Sequence, residues 1–223
     1  MHRVPQGATI RLLRQLRARR RPELSASIVR WAGLAAMFGG ALFVVSAVMI
    51  SSMPRGCIGD ELGTRPMRET GAAGVLLTLA LLLVVVGMAG LVIRARHAGR
   101  FGVLGKTGAV VAAVGAALPM IGGLIQGILY GGDYPLMPYF VIPGVLALVV
   151  GFVLLGIAVL LAGVSPRWTA VLLVVGSLAM LGFNDQNAQA LLAIPNGIAW
   201  VAVGYVLWSG GDGSTRRRRR APR

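Results

Sequence analysis

Residues 72–93 read AAGVLLTLALLLVVVGMAGLVI, a run of apolar and small residues without a single charge. At a rise of 1.5 Å per residue, a helix of this length measures about 33 Å, which matches a hydrocarbon layer of about 30 Å. A helix satisfies its backbone hydrogen bonds within the segment, as lipid demands. The stretch therefore predicts a membrane-spanning helix.

Five further stretches share this character and predict further spans: 30–52, 107–130, 139–163, 168–183 and 190–208. A cleaved signal peptide is the alternative for the first, but its apolar run exceeds the usual core of roughly 7 to 15 residues. With 56% hydrophobic and 13% charged residues, the chain is too apolar for one soluble core. The predicted fold class is all-α, an integral membrane bundle of six transmembrane helices in which sequential helices are antiparallel neighbours. The span 168–183 is the shortest, and 190–208 contains Pro195 and Asn196, so these two depart most from an ordinary span.

The net charge of +15 is distributed unevenly along the chain. Of the 22 Lys and Arg residues, nineteen fall at or before Arg30, the first residue of span 1, between spans 2 and 3, between spans 4 and 5, or after span 6. Basic residues stay on the cytoplasmic side, so this alternation predicts an even number of spans with both termini in the cytoplasm. A plasma membrane location follows, and nucleic acid is an unlikely partner. Because 21 of the 22 are Arg, a GC-rich bacterial genome is the simplest source.

Two basic tails flank the membrane domain 30–208: an N-terminal segment, 1–29, and a flexible polybasic tail, 209–223. The first contains ATIRLLRQLRARRRP, which predicts a basic amphipathic helix ended by Pro22 and lying on the inner leaflet; a disordered tail is the alternative. Anionic lipid is the expected partner of both tails. The predicted lipid contacts are Arg11, Arg14, Arg17, Arg19, Arg20, Arg21, Arg216, Arg217, Arg218, Arg219 and Arg220.

Small residues recur at every fourth position in several spans. Such stripes let helix backbones approach closely, either within one chain or between the copies of a homo-oligomer. The stripes are Ala36/Gly40, Gly108/Ala112/Ala116, Gly123/Gly127/Gly131 and Ala158/Ala162.

Polar side chains are scarce within the predicted spans, which makes Gln126 in span 3 and Asn196 in span 6 notable. The connection FNDQNAQA between spans 5 and 6 concentrates further amides around Asp185. These residues predict a shallow polar cavity open to the outside; the alternative is that Gln126 and Asn196 bond to a neighbouring helix and that the loop is simply hydrated. Its candidate residues are Gln126, Asn184, Asp185, Asn187 and Asn196.

Sequence motifs for chemistry are lacking. The chain has no G-x-S-x-G, H-E-x-x-H or Walker A pattern, one cysteine (Cys57) and two histidines outside the spans, so we expect neither enzymatic activity nor a cofactor or metal. Two functions remain open. One is a non-catalytic membrane component that assembles with itself or a membrane-protein partner through its Gly/Ala helix faces. The other is a small transporter or channel for a neutral or weakly polar solute.

Overall fold

The computed structural model describes residues 6–56, 70–99, 101–130, 134 and 136–210, with the backbone alone for 6–25. Within these residues the fold is entirely helical, without a strand. The helices are α1 (Gln6–Ser52), α2 (Gly71–His97), α3 (Val103–Ile125), α4 (Met137–Ala162), α5 (Arg167–Ala179) and α6 (Ile194–Ser209). A π-helical turn (Gln126–Tyr130) extends α3, and 3₁₀ turns (Met180–Gly182 and Ala188–Ala193) follow α5 and precede α6.

Five helical segments are long and apolar enough to cross a membrane: Ala26–Ser52, Gly71–His97, Val103–Tyr130, Met137–Ala162 and Ala188–Ser209. The prediction of a helical membrane bundle is confirmed at this level. The segment Arg167–Gly182 is also apolar and helical but shorter. Its 13 α-helical residues and the following 3 residues in a 3₁₀ turn together measure about 25 Å, which is shorter than a usual membrane span. A sixth crossing therefore stays a prediction.

The outer surface of the helices is apolar. Leu161 and Ile128 are each 76% exposed and Val110 is 63% exposed, whereas Ser46 and Asn196 are fully buried. A surface of this kind is stable against hydrocarbon rather than water. The protein is a helical membrane protein.

The predicted end of the N-terminal helix at Pro22 is wrong, because α1 continues without interruption from Gln6 to Ser52. A proline removes one backbone donor and crowds the carbonyl four residues earlier. In a helix of 47 residues, the hydrogen bonds on both sides are numerous enough to carry the helix past that one defect.

Glycine pairs bring α1 and α6 into backbone contact. A Cβ added at Gly33 would lie 2.8 Å from the carbonyl oxygen of Gly204, and one at Gly197 would lie 2.7 Å from that of Gly40. Each helix spaces its two glycines seven residues apart, which is two turns, so antiparallel helices place both pairs in register. The contact is therefore as close as two helix backbones allow.

The same seven-residue spacing joins α3 to α4. Gly108 and Gly115 of α3 face Gly151 and Gly144 of α4, and a Cβ at Gly115 would lie 2.8 Å from the carbonyl oxygen of Gly144. Three predicted stripes are thus confirmed as buried: Ala36/Gly40, Gly108/Ala112/Ala116 and Ala158/Ala162. Gly123 and Gly127 are exposed, and Gly131 lies outside the described residues.

Around the bundle the helices follow the order α2, α1, α6, α5, α4, α3. Most sequential pairs are neighbours as expected, but α2 touches α3 only slightly, and α1 packs on α6 as closely as on α2. The reason is that α1 has small residues on two faces. Gly33 and Gly40 meet α6, while Ala32 and Ala36 meet Gly90 and Gly87 of α2.

Polar and aromatic contacts join different helices at the two ends of the bundle. At one end, Arg94 donates a hydrogen bond to the carbonyl oxygen of Val206 (2.9 Å), and the Arg30 guanidinium stacks over Trp208 at 4.8 Å. At the other end, the N–H of Gly56 donates to the carbonyl oxygen of Gln186 (2.9 Å). We call the first, which carries Arg30, Arg94, Arg96, Lys106 and Arg167, the basic end, and the second the opposite end.

Candidate functional site

Asn196 and Trp200 form a buried polar pair one turn apart on α6. Both residues are 0% exposed. Neither the amide oxygen and nitrogen of Asn196 nor the indole nitrogen of Trp200 has a hydrogen-bond partner among the described residues. Buried polar atoms are nearly always paired, and each unpaired one costs roughly 1 to 3 kcal/mol. The pair therefore lowers the stability of the fold unless a partner satisfies it.

Three other helices enclose the α6 segment that bears the pair. A Cβ at Gly176 of α5 would lie 2.9 Å from Asn196 Cα, and Gly197 packs on Gly40 of α1. From α4, the Phe152 ring meets Trp200 edge to face, with centroids 5.0 Å apart. The glycine contacts hold the backbones together, so the fold of α1, α5 and α6 determines where Asn196 lies.

The depth of Asn196 follows from helix geometry. Between Asn187 and Asn196 lie six 3₁₀ residues and then the start of α6, a rise of about 16 Å. From Asn196 to Ser209 the rise is about 20 Å. The amide therefore lies near the middle of the bundle, where it presents two donors and an acceptor beside the indole donor. Such a set matches a small molecule that both donates and accepts.

The other predicted cavity residues lie elsewhere. Asn184 and Asn187 organise the loop before α6, since their side-chain oxygens accept from the N–H groups of Gln186 (2.8 Å) and Gln189 (2.7 Å). Asp185 accepts from the Gln186 amide at 3.1 Å. The structure thus brings Asn184, Asp185 and Asn187 together in one loop at the opposite end.

Gln126 begins the π-helical turn of α3 and is half-buried. Asn196 lies about 16 Å below the loop and is closed off from the surface. The shared cavity of these residues stays a prediction.

The predicted lipid-binding arginines lie where the structure says little or nothing of their side chains. Arg11, Arg14, Arg17 and Arg19–Arg21 belong to the part of α1 that is described by backbone alone, and Arg216–Arg220 lie outside the described residues. Their contact with anionic lipid stays a prediction.

Sequence reasoning missed Trp200 and the structural role of Arg94. Trp200 lies four residues after Asn196, the spacing that places two side chains on one helix face, so the pair was visible in principle. Arg94 counted only toward orientation, yet it caps the last turn of α6. That partner is 112 residues away, and no local pattern marks it.

No group of three or more His, Cys, Asp or Glu side chains occurs where the structure describes them. Comparison with known protein families, with curated proteins and with solved structures finds no match for this chain. The function is therefore inferred from the chain's own residues.

Proposed function

We propose that the protein is a non-catalytic membrane component that assembles with a second copy of itself through the half of α3 nearest the opposite end. The observation that carries the proposal is the open glycine stripe of α3. A Cβ built on Gly123 or Gly127 would meet no atom of the described residues within 4 Å. Elsewhere in the described spans, glycine stripes are filled by a neighbouring helix.

The stripe changes from closed to open along one helix face. Ala112 and Ala116 are buried, at 0% and 1% exposure. Gly123 lies seven residues beyond Ala116 and hence on the same face, yet it is exposed. Of the five long spans, the one containing α3 also has the smallest buried share. A helix of a second copy would bury this open stripe at backbone distance.

The test compares oligomeric states of the purified full chain in mild detergent, measured by light scattering. We expect Gly123→Leu/Gly127→Leu to convert an oligomer into a monomer, because two leucines prevent close approach. Ala117→Leu is the matched control, since Ala117 is exposed on α3 about a third of a turn away and should leave the oligomer intact. A monomeric wild type, or an oligomer that survives the double substitution, would contradict the proposal.

We further propose six crossings in the plasma membrane, with the basic end in the cytoplasm. Support comes from α5, which leads from the turn near Gly163 at the basic end to Gln186 at the opposite end. Of two reporters fused after Arg223, one active only in the cytoplasm and one active only outside the cell, the cytoplasmic one alone should be active. An externally active fusion would overturn this orientation.

A carrier for a small neutral solute is the second candidate, and the unpaired atoms of Asn196 and Trp200 favour it. A solute that binds only the folded protein raises its thermal stability. We expect a neutral donor–acceptor solute, such as glycerol or urea at low concentration, to stabilise the wild type more than Asn196→Leu. Equal responses of the two proteins would remove this candidate.

A further inference from the structure

The 3₁₀ turn Ala188–Ala193 places small side chains in line with Asn196. A 3₁₀ helix has three residues per turn, so side chains three residues apart lie one above another along its axis. Ala190 and Ala193 have this spacing, and Asn196 follows after three more residues on nearly the same face of α6. All three residues are fully buried. A line of two methyl groups therefore leads from the α5–α6 loop to the buried amide.

The side chain of Asn196 is directed toward this line. In an α-helix the Cα–Cβ bonds tilt toward the N-terminus, so a side chain covers the turn that precedes its own Cα. In α6 the preceding turn is that of Ala193, on the side of the opposite end. The unpaired amide thus lies at the inner end of the alanine line.

Large side chains follow Asn196 toward the basic end. Trp200 and Phe152 are fully buried and meet edge to face, with ring centroids 5.0 Å apart. Leu155 of α4 and Leu207 of α6 lie in the same core, each closer to the basic end than the aromatic residue of its own helix. Along α6, small side chains therefore lie on one side of the amide and an aromatic pair closes the other.

The 3₁₀ turn is held less firmly than α6. Ala190 packs in a small cluster with Ile50 of α1 and Ala73 of α2, separate from the main core that contains Trp200. Its N–H donates to the carbonyl oxygen of Asn187 at 3.3 Å, which is longer than usual, and 3₁₀ hydrogen bonds are less well aligned than those of an α-helix. Segments of this kind open at a lower free energy than the core.

We propose that a small neutral solute reaches Asn196 from the opposite end only, along Ala190 and Ala193, when the turn Ala188–Ala193 separates from α1, and that Trp200 with Phe152 closes the basic side. The inference rests on the second candidate function, the solute carrier, and states from which end its site is reached. It does not depend on self-assembly through α3.

The test measures how fast single cysteines react with 2-sulfonatoethyl methanethiosulfonate, a small thiol reagent that does not cross membranes. Cys57 is the one cysteine of the chain, so Cys57→Ser provides a background without thiols. Ala193→Cys and Ala199→Cys form a matched pair, because both alanines are fully buried and lie three residues on either side of Asn196. Cysteine is small and is often buried, so both variants should fold.

The reagent is added to sealed spheroplasts and, separately, to inverted membrane vesicles. Ala188→Cys and Ser209→Cys, at exposed positions, report whether the opposite or the basic end faces the reagent. Where Ala188→Cys reacts, Ala193→Cys should react at least about tenfold faster than Ala199→Cys, because opening of the turn exposes only the first. Where Ser209→Cys reacts, both buried cysteines should react equally slowly. Equal rates of the matched pair from the opposite end, or a faster reaction of Ala193→Cys from the basic end, would overturn the inference.

Amide hydrogen exchange of the unmodified protein provides a second measurement that needs no substitution. The N–H groups of residues 190–193 should exchange faster than those of residues 199–203, and equal protection would overturn the inference. Because the thiol rates are measured without solute, they test the route separately from the carrier. Fast labelling of Ala193→Cys, combined with equal responses of the wild type and Asn196→Leu to glycerol, would overturn the carrier and keep the route.

Discussion

Gly40 in α1 and Gly127 in α3 belong to stripes of small residues that look alike in the sequence, but the structure treats them in opposite ways. A Cβ at Gly40 would collide with the backbone of Gly197, whereas one at Gly127 would meet none of the residues that the structure describes. The α1/α6 contact is closed because both helices carry glycines at the same seven-residue spacing. The comparison shows that a small residue permits close approach, but a matching stripe on a neighbour is needed to produce it.

The open part of α3 has a geometric cause. The pairing of α3 with α4 is centred on Gly108, Gly115 and Gly122, a line that lies roughly a quarter to a third of a turn from Gly123 and Gly127. Because α2 touches α3 only slightly, Gly123 and Gly127 have no close neighbour toward the opposite end among the residues that the structure describes. Substitutions in the closed and open regions should therefore differ in their effect on stability.

Leucine at the two compared glycines should separate the regions most strongly. Gly40→Leu should lower the free energy of unfolding by at least about 3 kcal/mol, because the side chain must displace the backbone of α6. Gly127→Leu should leave the unfolding of a single chain nearly unchanged. Thermal unfolding in detergent measures both, and similar losses in the two variants would break the comparison.

Substitution of glycine by alanine should sharpen the comparison of closed and open positions within α3. Gly115→Ala should cost about 2 kcal/mol, since the added methyl group would press on the backbone N–H of Leu148. Gly123→Ala meets open space and should stabilise the helix by roughly 0.5 to 1 kcal/mol through reduced freedom of the unfolded chain. We expect the two substitutions to shift the unfolding midpoint in opposite directions relative to the wild type. A destabilised Gly123→Ala variant would show that this face is filled.

Arg94 tests whether the closed region depends on a polar anchor as well as on glycines. Arg94→Gln shortens the side chain that reaches from α2 to the Val206 carbonyl, and we expect a loss of roughly 1.5 kcal/mol. Arg96→Gln, one exposed charge removed two residues away, is the control and should change the midpoint little. Equal effects of the two substitutions would assign the loss to charge rather than to the hydrogen bond.

Asn196 tests the interior of the closed region. Asn196→Leu replaces two unpaired polar atoms with apolar ones of similar volume, so we expect stability to rise by about 1 kcal/mol. Asn196→Asp, which keeps the shape but adds an acid, should destabilise. A less stable leucine variant would mean that the amide is hydrogen-bonded in the folded protein.

The apolar helical segments were predictable to within a few residues. Each one consists of a long apolar run, and in lipid such a run must be helical to satisfy its backbone hydrogen bonds. The course of the chain through Pro22 was not, since a proline weakens a helix without always ending it. The candidate site was found only in part. Asn196 was visible as a polar residue in an apolar run, but its burial depends on Gly176 and Gly40 from two other helices.

By itself, the sequence determined a helical membrane protein, because only apolar helices are stable in lipid. It also determined that connections rich in Arg and Lys alternate with connections poor in them, a pattern that predicts which helix ends face the cytoplasm. The tertiary structure alone decided which glycine stripes are closed, that α6 pairs with α1, and that Arg94 reaches Val206. The physical reason is the distance along the chain over which each effect acts. Apolarity and charge act residue by residue along the chain, whereas helix packing depends on the match between two surfaces far apart in sequence.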